Sequence, residues 1–310
     1  MKVLVTGGAG FIGSHIVDSL IKKNNEVVVI DNLYSGKEEN INEKAKLVKV
    51  DINDNLDEVF DKEKFEIVIH AAAQVKLRDS FEDPVFDAKT NVLGTINVLE
   101  ACRKFKVRKV IYISTGGARV GEPEYLPVDE NHPLNPSSPY GISKHSGEHY
   151  FKMYYDLYNL DYIAFCFGNV YGPRDDPKCK RVMAMFITSI LEGDSPKIFG
   201  SGDNTRDYIY VKDLAEFVVE SIDKKPEHKL FHLANGEQKS VNELFKILKD
   251  ISGFEKDAEH IEAVKGEVKD CVLDTTLAKK ELNWEVKHSF EEGIKETFEW
   301  FKTKGKSFKG

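Results

Sequence analysis

The tightest constraint in this chain is a glycine loop set directly after its first apolar run. Val3-Leu4-Val5-Thr6 leads into Gly7-Gly8-Ala9-Gly10-Phe11-Ile12-Gly13, which satisfies GxGxxG from Gly8 and GxxGxxG from Gly7, and an amphipathic stretch follows. Strand, glycine turn and helix N-terminus in that order suit a pyrophosphate. The first glycines permit a tight turn and let backbone N–H groups approach the phosphates, while Gly13 lets the helix pack close to the strand. Such a loop alone is a weak signal, but Asp31 answers it at the end of the second apolar run, where a carboxylate can bind an adenosine ribose diol. An acid there also repels a 2′-phosphate, so NAD is expected over NADP. Asp51, after the third run, is either an acceptor for the adenine amine or a simple turn aspartate.

Short β-branched runs recur at Val3 to Thr6, Glu26 to Ile30, Lys46 to Val50, Ile67 to Ala71, Lys109 to Ser114 and Tyr162 to Phe167. Near-continuous apolarity of this kind marks parallel strands covered on both faces. Between them, Phe11 to Lys23 and Val85 to Lys104 carry apolar residues at helical spacing, the second at Val85, Ala88, Val92, Ile96 and Leu99. The expected fold is α/β, a Rossmann-type doubly wound parallel sheet with a smaller, discontinuous α/β substrate lobe. After about Val170 prolines and glycines break the pattern, while a helix over Val211 to Ile222 is expected to return to the sheet. The boundaries that follow are residues 1–170, with 206–234 returning, for the cofactor domain, and 171–205 with 235–310 for the substrate lobe.

The 310 residues carry 44 basic and 52 acidic side chains, a net charge of −8, and the basic ones are dispersed. Neither nucleic acid nor a membrane surface is an expected partner. Cys102, Cys166, Cys179 and Cys271 lie far apart with no CxxC, which fits a reducing compartment. With no leader-like start and no apolar run of the roughly 18 to 20 residues a bilayer span needs, a cytoplasmic location is expected. His145 and His149 share a helix face without a third ligand, so no metal is expected.

Tyr140-Gly141-Ile142-Ser143-Lys144 places a phenol and an ammonium on one face of a helix beginning after Pro139. A tyrosine of ordinary pKa near 10 is a poor base; an adjacent ammonium and a positive nicotinamide ring favour the phenolate. Ser114-Thr115, at the end of the fifth strand, completes a constellation of phenol, ammonium and hydroxyl.

With His70-Ala71-Ala72-Ala73, Asn91-Val92-Leu93-Gly94-Thr95, Ser114-Thr115-Gly116-Gly117, Asn169-Val170-Tyr171-Gly172-Pro173-Arg174 and Arg206-Asp207-Tyr208-Ile209, the chain resembles the extended short-chain dehydrogenase/reductases of the NAD-dependent epimerase/dehydratase family, from end to end. The closest likeness is to the UDP-galactose (UDP-glucose) 4-epimerases. The resemblance implies that Gly7, Gly10, Phe11, Ile12, Gly13, Asp31, Asn32, Asp51, Ile52, Asn91, Tyr140 and Lys144 bind NAD. It also implies that Tyr140, Lys144 and Thr115 are catalytic, and that Asn169, Phe199, Arg206 and Cys271 join Thr115 and Tyr140 on a UDP-sugar. Sugar dehydratases of the family carry acids just after the catalytic Thr or Ser; this chain has Gly116-Gly117, which leaves oxidation at C4 and re-reduction as the expected reaction.

Two positions depart from the family: Val120 stands where a tyrosine is usual, and Val264, two residues before Gly266, replaces a phosphate-binding arginine, with Lys265 beside it. Alternative readings are a UDP-glucuronate 4-epimerase, which would need a carboxylate-binding cluster near C6, and a non-catalytic NAD-binding sensor. The family also implies a homodimer. Phe86 and Leu93 on one helix, and Phe151, Tyr154, Tyr155 and Tyr158 on the next, are expected to form a surplus apolar face for a four-helix bundle. By the same resemblance the residue at Cys271 borders the sugar's C2 substituent, and a small residue there admits an acetamido group; a buried apolar role is the bland alternative.

Overall fold

Seven strands form one parallel sheet in a computed structural model that describes residues 1–263 and 268–304. They are β1 (Lys2–Thr6), β2 (Glu26–Ile30), β3 (Lys46–Val48), β4 (Ile67–His70), β5 (Lys109–Thr115), β6 (Asp161–Phe167) and β7 (Leu230–Leu233). Their order across the sheet is β7-β6-β5-β4-β1-β2-β3. Connection order therefore reverses between β1 and β4, and in such sheets the crevice beyond the strand C-termini at that point is where ligands lie.

Because side chains alternate along a strand, the sheet feeds two cores. Val3 and Val5 of β1 pack on one face with Ile16, Val17 and Leu20 of α1 (Phe11–Lys22). Leu4 packs on the other face with Val98, Leu99 and Cys102 of α2 (Gly94–Lys104) and with Phe151 and Tyr154 of α3 (Pro139–Tyr158). A further helix, α4 (Val211–Glu220), lays Leu214, Phe217 and Val218 beside α1 in the first core. The return of this segment to the sheet has a plain cause, since β7 follows it and pairs with β6.

A third core, built from Met183, Phe186, Ile190, Ile198, Tyr208, Leu244, Leu248, Ile294 and Phe298, lies above the strand C-termini. Phe11 and Ile12 of the glycine loop pack against it. The segment after Gly172 straps it down: Pro173 O lies 2.9 Å from His15 Nε2 and the Arg174 guanidinium is 2.8 Å from Asp18. The buried Asp207 carboxylate accepts the backbone N–H groups of Asn235 (2.9 Å), Gly236 (3.1 Å) and Leu273 (3.2 Å), joining three chain segments at one point.

One expected helix differs. Val85 to Lys104 is not a single apolar-striped helix: a short helix, Pro84–Ala88, passes through a π-helical turn, Lys89–Leu93, into α2. Val85 and Ala88 face outward, and the buried side is Asp87, Asn91 and Thr95. Periodicity counts apolar residues only, and here the inward face is polar because it lines the site.

Candidate active site

Gly7 sits at φ 71° after β1, and a Cβ there would lie 2.6 Å from the Ala72 backbone beyond β4. At Gly13 a Cβ would stand 2.1 Å from Gly7 O, so the loop closes only with glycine at both places. The turn thereby presents the first N–H groups of α1 at the switch point, a cradle of the shape and polarity a pyrophosphate needs. Asp31 is buried beside it, accepting from Ala9 N–H at 3.0 Å and Leu33 N–H at 2.8 Å. Burial raises its pKa against the pull of those two donors. Asp51 accepts Asn32 Nδ2 at 2.7 Å and Asn53 N–H at 2.8 Å. Burial pushes that carboxyl up, yet these hydrogen bonds outweigh it and hold it below the ordinary value. Ile52 is buried in the second core, with α2 fitting over it at Gly94, where a Cβ would meet Ile52 at 2.6 Å. The residues expected to hold a dinucleotide are thus gathered around the glycine loop, and their acid and amide chemistry fits NAD.

Tyr140 and Lys144 lie on the first two turns of α3, whose start is fixed by Pro139 and by Ser138 Oγ accepting Gly141 N–H at 3.1 Å. Thr115 ends β5 and Asn91 approaches from the π-helical turn, its amide donating to Ser143 Oγ at 3.1 Å. Lys144 is buried, donates to Ile113 O at 2.7 Å and stands 4.2 Å over the Tyr112 ring. Burial pulls its pKa down to about 8, opposed chiefly by Glu148. Burial pushes the Tyr140 phenol up to about 12, while the Thr115 hydroxyl and the Arg181 guanidinium pull it back. The cation that pulls this phenol down is thus Arg181, which the sequence reading missed, and not Lys144 as expected; Asp87 opposes it. Arg181 belongs to the third core's strap, paired with buried Asp175 at 2.5 Å and 5.2 Å from the Phe11 ring centroid, and no periodic pattern marks it.

Three of the expected substrate residues, Asn169, Phe199 and Arg206, lie in short strands outside the seven-stranded sheet. Asn169 is exposed at the start of a short strand, Asn169–Tyr171. Phe199 is 38% exposed, with the Arg78 guanidinium 5.9 Å from its ring centroid. Arg206 donates to the carbonyls of Thr205 (2.8 Å), Lys269 (3.0 Å) and Val268 (2.8 Å), so in this state its fork is turned onto backbone. Cys271 is buried with Val120, Val128 and Leu273, and its Sγ is 3.3 Å from where a Gly117 Cβ would stand. Val120 is thus core packing. Val264, Lys265 and Gly266 lie outside the described residues. No group of three or more metal-binding side chains occurs among the described residues, and none of their helices is long and apolar enough to cross a membrane.

A protein from Methanocaldococcus jannaschii, provisionally named a UDP-glucose 4-epimerase, is 47% identical over 307 residues, covering 98% of this chain and 100% of that one. A crystal structure of UDP-glucose 4-epimerase with UDP-glucose from Thermotoga maritima superposes with TM-score 0.95 at 42% identity, covering 98% of this chain and 99% of that one. A Thermus thermophilus UDP-glucose 4-epimerase in complex with NAD gives TM-score 0.91 at 37% identity, covering 97% and 99% respectively. The pattern of the NAD dependent epimerase/dehydratase family matches residues 3–234, which hold the glycine loop, Thr115, Tyr140 and Lys144. The chain belongs to the NAD dependent epimerase/dehydratase family.

Proposed function

We propose that this protein is an NAD-dependent UDP-glucose 4-epimerase, interconverting UDP-glucose and UDP-galactose. One observation carries the reading: Tyr140 and Lys144 share a face of α3 against the Thr115 end of β5, beside the dinucleotide cradle, and glycines rather than acids follow Thr115. When bound, NAD⁺ supplies a reversible acceptor for the C4 hydrogen, so net redox is zero and the cofactor stays with the protein. Tyr140 takes the C4 hydroxyl proton and later returns it. Thr115 hydrogen-bonds the same oxygen, and Lys144 holds the nicotinamide ribose while keeping a positive charge near the phenol. The flat 4-keto sugar turns over between these two proton transfers. Without an acid after Thr115 there is no group to expel water, so elimination does not compete.

Residues 1–170 with 206–234 act as the cofactor domain, and residues 171–205 with 235–310 as the substrate lobe. Phe199 stacks the uracil, Asn169 grips the UDP half, and Arg206 exchanges its carbonyl partners for pyrophosphate oxygens, for which its fork is suited. Val85 (76% exposed), Leu93 (58%), Ile142 (53%) and Leu157 (64%) leave an apolar strip on the helix pair, which supports a homodimer bundle. Phe151 and Tyr154, expected in that strip, are instead core. The four free cysteines favour a reducing cytoplasm.

The test is incubation of purified protein with UDP-glucose, UDP-galactose, their N-acetylated counterparts and UDP-glucuronate, with chromatographic separation of products and no added cofactor. Interconversion of the first pair is expected. Conversion of UDP-glucuronate alone, or NAD retention with no conversion, overturns the reading.

A further inference from the structure

One turn beyond Lys144 on α3 lies a buried carboxylate that no step above uses. Glu148 Oε1 accepts Ser114 Oγ at 2.7 Å and stands 3.5 Å from Cys166 Sγ. Its Oε2 is 2.9 Å from His145 Nδ1 and 3.2 Å from Arg119 Nε. Arg119 is also buried, and its other nitrogen reaches His232 Nε2 at 3.2 Å. Glu148 therefore joins α3 to the ends of β5 and β6 and to the Gly117–Val120 turn. A buried ion pair is weak support for stability, since desolvation offsets the attraction. Its effect on neighbours is the more telling property.

Tyr140, Lys144 and Glu148 follow at intervals of four residues, hence on one helix face. Among the described residues the direct partners of the Lys144 ammonium are neutral, the Ile113 carbonyl and the Tyr112 ring. Two carboxylates face it from the surrounding elements. One is Glu148; the other is Asp87 of the Pro84–Ala88 helix, whose Oδ1 accepts Gln74 Nε2 at 3.0 Å and whose Oδ2 has no protein partner among the described residues. Two further titratable neighbours stay neutral: burial lowers the pKa of His70 of β4 and raises that of the Cys166 thiol of β6.

We propose that Glu148 is a positioning residue for proton transfer, holding Lys144 as an ammonium and, through Ser114, fixing Thr115 against Tyr140. The proposal rests on the epimerase reading for the step it serves. Burial draws the ammonium down, and the Glu148 carboxylate is the first of the charges opposing this. Replacing that charge by a neutral amide lets burial act further, so Lys144 loses its proton at lower pH and the site keeps only Arg181 as a cation acting on Tyr140.

The holoenzymes of Glu148→Gln, Glu148→Asp and Asp87→Asn are compared with the parent by kcat and KM across about pH 6 to 10. Glu148→Gln is expected to bring the alkaline limb of kcat down by roughly one pH unit and to cut kcat several-fold at neutral pH, with KM within about twofold. Asp87→Asn moves the limb the same way by less, and supplies the charge test should Glu148→Gln fail to fold with NAD. Glu148→Asp, which keeps the charge and shortens the reach to Ser114, lowers kcat with the limb in place. A side-chain NMR titration of Lys144 in lysine-labelled protein, assigned by its loss in Lys144→Met, needs no sugar. A parent that titrates there but converts no UDP-sugar sinks the epimerase reading alone. An unmoved limb in Glu148→Gln and Asp87→Asn, or an unmoved Lys144 titration in Glu148→Gln, overturns the role of Glu148.

Discussion

Tyr140 shows how one side chain is prepared by several. Its phenol stands high because desolvation in the half-buried site disfavours the phenolate, and it becomes a useful base only where hydroxyl and cationic neighbours favour that form. Tyr140→Phe keeps the ring and removes the proton acceptor, so turnover is expected to fall by about two to four orders of magnitude with NAD still bound. Turnover near that of the parent, in a chromatographic assay, refutes the role. Cys271 is a finer case, since it is buried in an apolar cluster and also borders Gly117, two residues from Thr115. The family resemblance implies that this position borders the sugar's C2 substituent, and on that reading a tyrosine there overpacks a close-packed wall at a cost of about 1 to 3 kcal/mol, felt most by an acetamido group. Cys271→Tyr should therefore lose the N-acetylated UDP-sugar pair selectively; equal losses on both pairs would leave cysteine a packing residue only.

At the scale of elements, the glycine loop is legible because steric exclusion leaves a trace in residue type. A Cβ at Gly13 would stand 2.1 Å from Gly7 O, which no rotamer can relieve. Gly13→Ala is expected to lower stability by at least about 1 to 3 kcal/mol and to strip the cofactor, as thermal unfolding and cofactor content will show. The helix before α2 left no such trace. Its inward face, Asp87, Asn91 and Thr95, is polar and bonded to partners from other segments, Gln74 and Ser143 among them, with Asp87 Oδ2 left over, so an apolar stripe sought at Val85 and Ala88 pointed to the outer surface. Glu148 was visible in principle as Lys144-x-x-x-Glu148, but a helix-surface ion pair has the same spacing.

For the whole molecule, three buried histidines are coupled to stability. Burial lowers the pKa of His15 to about 4, of His70 to about 3 and of His232 to about 4, against an ordinary value near 6.5. Each is neutral when folded and binds a proton only once exposed. Between about pH 6.5 and 4 the unfolded chain thus takes up more protons, so stability is full above that window and falls as pH drops through it. Thermal melts should decline across that interval, and His15→Gln should shallow the decline; a flat profile down to about pH 4 contradicts this. Assembly belongs to this scale too. The exposed strip at Val85, Leu93, Ile142 and Leu157 should be covered by a second copy, so light scattering at micromolar concentration is expected to give a dimer, and a monomer there removes the bundle.

What the sequence determined by itself is whatever depends on local chemistry. The parallel strands, the glycine cradle, Asp31 and the Tyr140–Lys144 pair follow from residue type and spacing, because backbone sterics and helical periodicity act within a few residues. Only the tertiary structure decided what depends on distant segments meeting. Arg181 reaches Phe11 from far along the chain, Asp207 joins three segments, Arg206 turns onto the carbonyls of Val268 and Lys269, and Glu148 meets Arg119 and Ser114. Charge and desolvation depend on every neighbour within several ångströms, whatever its place in the chain, so the strength of the base could be read only once the sheet had brought those neighbours together.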